Sequence, residues 1–134
     1  MKKTVVVVDS YAILVFLFQQ NGYEKVIALF EKAAEKDIPV LMTSINWAEV
    51  RYMIERKSGT DRWNEVRPKL LGLPLDIISC DHSLAESAGE IKAFHKMSLA
   101  DCFCAALAKQ EGAEVYTGDP EFRSVEKDIK IVWL

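Results

Sequence analysis

Four acidic residues stand just after an apolar run, or in the helical turn that follows one. They are Asp9 after Val5-Val6-Val7-Val8, Glu49 in Asn46-Trp47-Ala48-Glu49, Asp101 in Ser98-Leu99-Ala100-Asp101, and Asp119 in Thr117-Gly118-Asp119. Carboxylates gathered from separate chain positions repel one another or raise one another's pKa, and a divalent cation bound through oxygen relieves that cost. With no well-placed His or Cys among them, the set suits Mg²⁺ or Mn²⁺. One such ion, or a pair, clamps a phosphodiester, lowers the pKa of a water and stabilises the leaving oxygen of an in-line displacement.

Each acid also has an explanation without chemistry. Asp9 and Ser10 are good helix N-caps, and Asn46 to Glu49 and Ser98 to Asp101 both have the form of capping boxes. Asp119-Pro120 reads as an N-cap followed by proline at the first helical position. A non-catalytic binding module would keep these acids as caps alone. The conjunction of four acids is what caps do not explain.

The elements that would position them follow from periodicity. Val5–Val8 is β-branched without alternation, the mark of a strand buried on both faces. Residues 38–42, 75–78, 114–116 and 129–133 read as further strands, the one holding Pro39 least clearly. Residues 23–36 carry Val26, Ile27, Phe30, Ala33 and Ala34 on one face and charges on the other, an amphipathic helix. Residues 45–57 and 62–71 form a helical pair broken at Ser58-Gly59-Thr60, and 84–94 and 99–109 are two more helices, with another beginning near Tyr11. Alternating strands and helices predict an α/β fold, a three-layer α/β/α arrangement on a parallel sheet of about five strands. Ligands of such sheets bind beyond the carboxyl ends of the strands, where these acids fall.

Length and composition set bounds. A chain of 134 residues suits one domain over 1–134, and 50 % hydrophobic with 28 % charged residues favours a folded protein. The net charge of -3 supplies no positive field of the kind nucleic-acid binders advertise. Lys2, Lys3 and the apolar run to Phe18 resemble a secretory leader, but Asp9 interrupts the run and no small-x-small site follows it. The run is also short for a membrane span. Cys80, Cys102 and Cys104 show no disulfide spacing, which suits a reducing cytoplasm. A zinc site using Cys80, His82, Cys102 and Cys104 is disfavoured, because positions i and i+2 of a helix diverge by about 200°. Buried free thiols are expected instead.

Taken in order, Val-Val-Val-Val-Asp9-Ser10, Asn46-Trp-Ala-Glu49-Val, Ser98-Leu-Ala-Asp101-Cys-Phe and Thr117-Gly-Asp119-Pro-Glu-Phe122 resemble the PIN-domain family, over a span from Val5 to Leu134. The small size resembles the VapC-type toxins of prokaryotic toxin–antitoxin pairs. The resemblance implies a Mg²⁺- or Mn²⁺-dependent endoribonuclease, held in check by a VapB-like antitoxin and forming a homodimer, with no membrane partner. Asp9, Glu49 and Asp101 match the family's metal-binding acids, Asp119 a more variable fourth, and Ser10 and Thr117 the small hydroxyl positions beside them.

An RNA strand would need local positive charge, and Arg51, Arg56 and Lys57, with Arg62, Arg67 and Lys69, make the middle of the chain basic. The same residues also read as a solvated helical face of intrahelical ion pairs. Tyr11 and Trp47 could stack on bases or serve the core. A phosphotransfer domain also begins with a strand ending in Asp. Its dehalogenase form wants a second acid where Tyr11 stands, and its receiver form wants an acidic pair and a later lysine that are missing.

Overall fold

The computed structural model describes residues 4–134, so Lys2 and Lys3 lie outside the described residues. The valine run becomes strand β1 (Val6–Val8), whose alternating side chains are buried on both faces. Val7 packs with Leu84, Ile91, Phe103 and Leu107 on one side of the sheet. Val6 and Val8 pack with Ile13, Phe30, Ile54 and Trp63 on the other. This double burial is why the run lacks the polar alternation of a half-exposed strand.

Five strands form one sheet in the order β3-β2-β1-β4-β5, with β2 at Val40–Thr43, β3 at Leu75–Ile78, β4 at Glu114–Thr117 and β5 at Ile131–Trp133. Every pairing is parallel. The expected three-layer α/β/α architecture is therefore present. Helices α1 (Ser10–Phe18), α2 (Tyr23–Lys36), α3 (Ser44–Ser58) and α4 (Thr60–Leu71) contribute to the core on the Val6/Val8 side. Helices α5 (His82–Phe94) and α6 (Leu99–Glu111) contribute to the opposite core, joined by a 3₁₀ helix at Pro120–Val125. The apolar stretch that resembled a leader is divided between β1 and α1 at Asp9. No helix among the described residues is long and apolar enough to cross a membrane.

The order of the strands creates the site. From β1 the chain moves outward through β2 to β3, then returns to the other side of β1 for β4 and β5. The gap between the carboxyl ends of β1 and β4 is thus a topological switch point, where successive connections leave in opposite directions and a crevice opens. Asp9 directly follows β1, and Asp119 follows β4 by one residue.

Two local readings need correction. Helix α3 starts at Ser44 with Thr43 as its cap, since the Thr43 hydroxyl accepts the Asn46 amide at 3.0 Å. Asn46 is therefore inside the helix, and Glu49 lies in its second turn rather than its first. Strand β2 begins only after Pro39, as the missing N–H of proline favours.

Candidate metal centre

Asp9, Ser10, Glu49, Asp101 and Asp119 line a single cleft of about 810 Å³. The four acids predicted to converge therefore do so. Thr117 lies behind them, fully buried at the end of β4.

Asp9 is 1 % exposed and caps α1, its Oδ1 accepting the Ala12 amide at 3.0 Å. Its Oδ2 accepts the Thr117 hydroxyl at 2.5 Å. Burial pushes the Asp9 carboxyl up from 3.8 to about 7; the bonds from Thr117 and Ala12 oppose the rise, and the charges of Asp119 and Glu49 add to it. Capping thus accounts for one oxygen and the hydroxyl for the other, while the cost of the buried charge is left over.

Glu49 is held by two donors on one oxygen. Ser10 Oγ donates to Oε1 at 3.1 Å and Asn46 Nδ2 donates to the same atom at 2.9 Å. Asn46 is itself fully buried, with its Oδ1 accepting the Thr43 hydroxyl at 2.8 Å. The Asn-x-x-Glu spacing that resembles a capping box instead orients a carboxylate, because one helical turn brings the two side chains together.

Asp101 is the most unusual of the set. It is 5 % exposed, and its Oδ2 is buried without any hydrogen-bond partner among the described residues. A buried polar atom left unpaired costs roughly 1–3 kcal/mol, more for a charged one. Burial drives its carboxyl well above the ordinary range, and contact with Asp119 and the charge of Asp9 drive it further. Ser98 caps α6, its hydroxyl accepting the Asp101 amide at 3.2 Å. The reciprocal half of the expected capping box is absent.

Asp119 begins the 3₁₀ helix, accepting the Glu121 amide at 2.9 Å, while its own amide donates to Thr117 Oγ at 2.9 Å. Carboxylate oxygens of Asp101, Asp119 and Glu121 lie within 4.8 Å of one another. Among the described residues, no Cys or His joins a group of this kind. Cys102 and Cys104 are buried core thiols, and burial pushes Cys104 well up, with the charges of Asp9, Asp101 and Glu49 adding to the rise. A protonated thiol is a poor metal ligand, so the sulfur is packing.

The donor set fits a hard divalent ion on the evidence of Asp101 Oδ2. An all-oxygen group with an orphaned buried oxygen, crowded by like charges, is what a divalent cation satisfies. From the sequence Asn46 reads as a helix cap and Glu121 has no assigned role, although both stand inside the four motifs.

The basic residues divide. Arg56 and Lys57 line the cleft, over the Tyr52 ring at 4.7 Å and the Phe18 ring at 4.1 Å. Arg51 pairs with Glu55 at 2.8 Å, lies over the Trp63 ring and is not among the cleft-lining residues. Arg62 and Lys69 both pair with Glu65. Tyr11 lines the cleft and is 42 % exposed, whereas Trp47 packs edge-on against Trp63.

The PIN-domain family model matches residues 6–128, from the start of β1 to beyond the 3₁₀ helix. This chain belongs to the PIN-domain family. Among solved structures, this PIN domain is similar to a chain of the DNA-bound VapBC crystal structure from Salmonella typhimurium, with TM-score 0.78, 20 % identity, and 97 % of this chain and 98 % of that one covered. It is also similar to Mycobacterium tuberculosis VapC20, described as a sarcin-ricin loop cleaving toxin, with TM-score 0.73, 18 % identity, and 90 % and 94 % covered. A third likeness is to FitAcB from Neisseria gonorrhoeae, with TM-score 0.71, 21 % identity, and 95 % and 96 % covered. At these identities the likeness establishes the PIN fold. No curated protein matches this PIN domain in sequence.

Proposed function

We propose that this PIN domain is a Mg²⁺- or Mn²⁺-dependent endoribonuclease, the toxin of a VapBC-type pair acting in the cytoplasm. The observation that carries the reading is the buried, unpartnered Asp101 Oδ2 inside a cleft lined by three further acids. Asp9, Glu49, Asp101 and Asp119 would hold the ion. Once bound, it supplies positive charge and Lewis acidity for attack of water on a phosphodiester.

The remaining groups hold and orient. Thr117 steers Asp9, and Ser10 with Asn46 steers Glu49, so the carboxylates keep their aim without solvent reorganisation. Arg56 and Lys57 stand at the cleft and can take backbone phosphates, while Arg51 contributes to such a surface only if it leaves Glu55. The cleft also has an apolar lining of Leu14, Val15, Phe18 and Met53. It offers a seat to a VapB-like antitoxin segment, which would close the site. A homodimer completes the proposed assembly; light scattering that finds only a monomer would remove that part.

The test is cleavage of structured RNA with Mn²⁺ or Mg²⁺, with EDTA, and with folded Asp9→Asn and Asp101→Asn variants. Asparagine still caps a helix but lacks the charge a divalent ion needs. Metal-dependent cleavage lost in both variants supports the reading. Equal activity of wild type and variants, or absence of divalent binding by calorimetry, would leave a binding module with capping acids.

A further inference from the structure

We infer that Glu121 is a positioning residue: it takes the Ser98 amide that Asp101 would otherwise cap, and so keeps the Asp101 carboxylate in the metal nest. The inference rests on the proposed metal site, and it concerns how that site is kept open.

The sequence Ser98-Leu99-Ala100-Asp101 has the form of a capping box, in which the Ser hydroxyl binds the amide three residues on and that residue's carboxylate reaches back to the Ser amide. Only the first half forms, through Ser98 Oγ and the Asp101 amide at 3.2 Å. The Ser98 amide donates instead to Glu121 Oε1 at 2.7 Å, across 23 residues of chain. Asp101, relieved of this local partner, retains a buried Oδ2 with none among the described residues. An orphan amide at a helix start and an orphan carboxylate one turn on would ordinarily satisfy each other. Glu121 separates them.

Glu121 reaches Ser98 because Asp119 orders the 3₁₀ helix. Asp119 Oδ1 accepts the Glu121 amide, and buried Phe122 fixes the same turn in the core. The exposed Glu121 carboxylate then lies beside α6, within the acidic group it shares with Asp101 and Asp119. Its role as acceptor needs an oxygen but no charge, which separates it from a metal ligand.

The experiment compares wild type with Glu121→Gln and Glu121→Ala by calorimetric Mn²⁺ titration and by hydrogen exchange at the Ser98 amide. Alanine should lower Mn²⁺ affinity at least tenfold as Asp101 turns to the amide. Glutamine keeps the accepting oxygen and loses only a charge near the ion, so its affinity should stay at least fivefold above that of alanine. In metal-free protein the Ser98 amide should stay protected in Glu121→Ala and lose protection in Glu121→Ala/Asp101→Ala. Unchanged affinity in Glu121→Ala, or an equal loss in Glu121→Gln, overturns the inference, as does a Ser98 amide that exchanges as freely in the single variant as in the double. If Glu121→Ala does not fold, Glu121→Met, which keeps the length and lacks the accepting oxygen, is measured in its place against the same two outcomes. Failure of the metal-site reading is seen separately, as absence of Mn²⁺ uptake by wild type, and the amide-exchange comparison then judges Glu121 alone.

Discussion

The Thr117 hydroxyl donates to Asp9 Oδ2 across 108 residues of chain and accepts the Asp119 amide on its other side. One side chain at the end of β4 thus ties together the acids that follow the two central strands. Thr117→Val keeps the shape and removes the hydroxyl, leaving Asp9 Oδ2 and the Asp119 amide unserved. Stability should fall by about 1.5–3 kcal/mol, the range for hydrogen bonds to charged groups. Cleavage should fall at least tenfold, and Thr117→Ser should recover most of both. Chemical denaturation and initial rates on one RNA check the two effects.

The burial of these acids, with their crowding adding to it, makes metal-free stability fall as pH rises. The Asp9 carboxyl is raised in the folded state from 3.8 to about 7, so between these values the folded protein binds more protons than the unfolded chain. Stability is then greatest below about pH 4 for this group, declines through the interval and levels off above pH 7. A rise of this size corresponds to about 4 kcal/mol. Asp101 is displaced in the same direction and extends the decline upward. Thermal melts in EDTA should show Tm falling from pH 5 to 8, and saturating Mn²⁺ should flatten the trend. A Tm that rises over that interval without metal would refute the burial argument.

Asp101→Asn should separate stability from function. Burial, with Asp119 and Asp9 adding to it, holds the Asp101 carboxyl well above its ordinary range, so folding at pH 8 takes up a proton that asparagine does not need, and the metal-free variant should melt higher than wild type. The same change should abolish cleavage and the Mn²⁺-dependent rise in Tm. A variant that melts no higher than wild type and still responds to Mn²⁺ would overturn the reading of Asp101 as a crowded metal ligand.

Gly118 is required by a neighbour and not by its backbone. A Cβ there would lie 2.5 Å from Tyr11 Cζ and 2.8 Å from its hydroxyl oxygen, whereas the glycines with positive φ are Gly22, Gly59 and Gly112. Gly118→Ala must displace the Tyr11 ring at the cleft and should cost about 1–3 kcal/mol, as overpacking does. Tyr11→Ala/Gly118→Ala should regain most of the loss attributable to the clash, which a double-mutant cycle measures. Additive effects would show that the ring is free to move aside.

Arg56 and Lys57 should differ from Arg51 in substrate binding. Alanine at either cleft residue should raise KM several-fold and flatten its salt dependence by about one phosphate contact. Arg51→Ala, remote from the cleft lining and paired with Glu55, should leave KM within about twofold and alter stability by under 1 kcal/mol. Equal effects at all three positions would point to a general field in place of local contacts.

Much of this architecture is a consequence of short-range pattern. The unalternating Val5–Val8 run needs burial on both faces, and the 3.6-residue spacing of Val26, Phe30 and Ala33 needs one apolar helix face, so β1 and α2 are legible without tertiary knowledge. The four acids are legible too, since each stands at a strand end or near a helix start. That they share one edge of the sheet is legible as well; the contacts among them are not, because these depend on β4 pairing beside β1, a choice made by long-range packing. Local pattern also left the role of Asn46 and Asp101 open, since a capping box and a steered carboxylate share the same spacing. That was decided by Thr43, which took the α3 cap, and by Glu121, which took the Ser98 amide from 23 residues away. Hydrogen-bond competition between distant segments has no signature in the spacing of either one, so sequence alone identified the acids and only the folded chain assigned their partners.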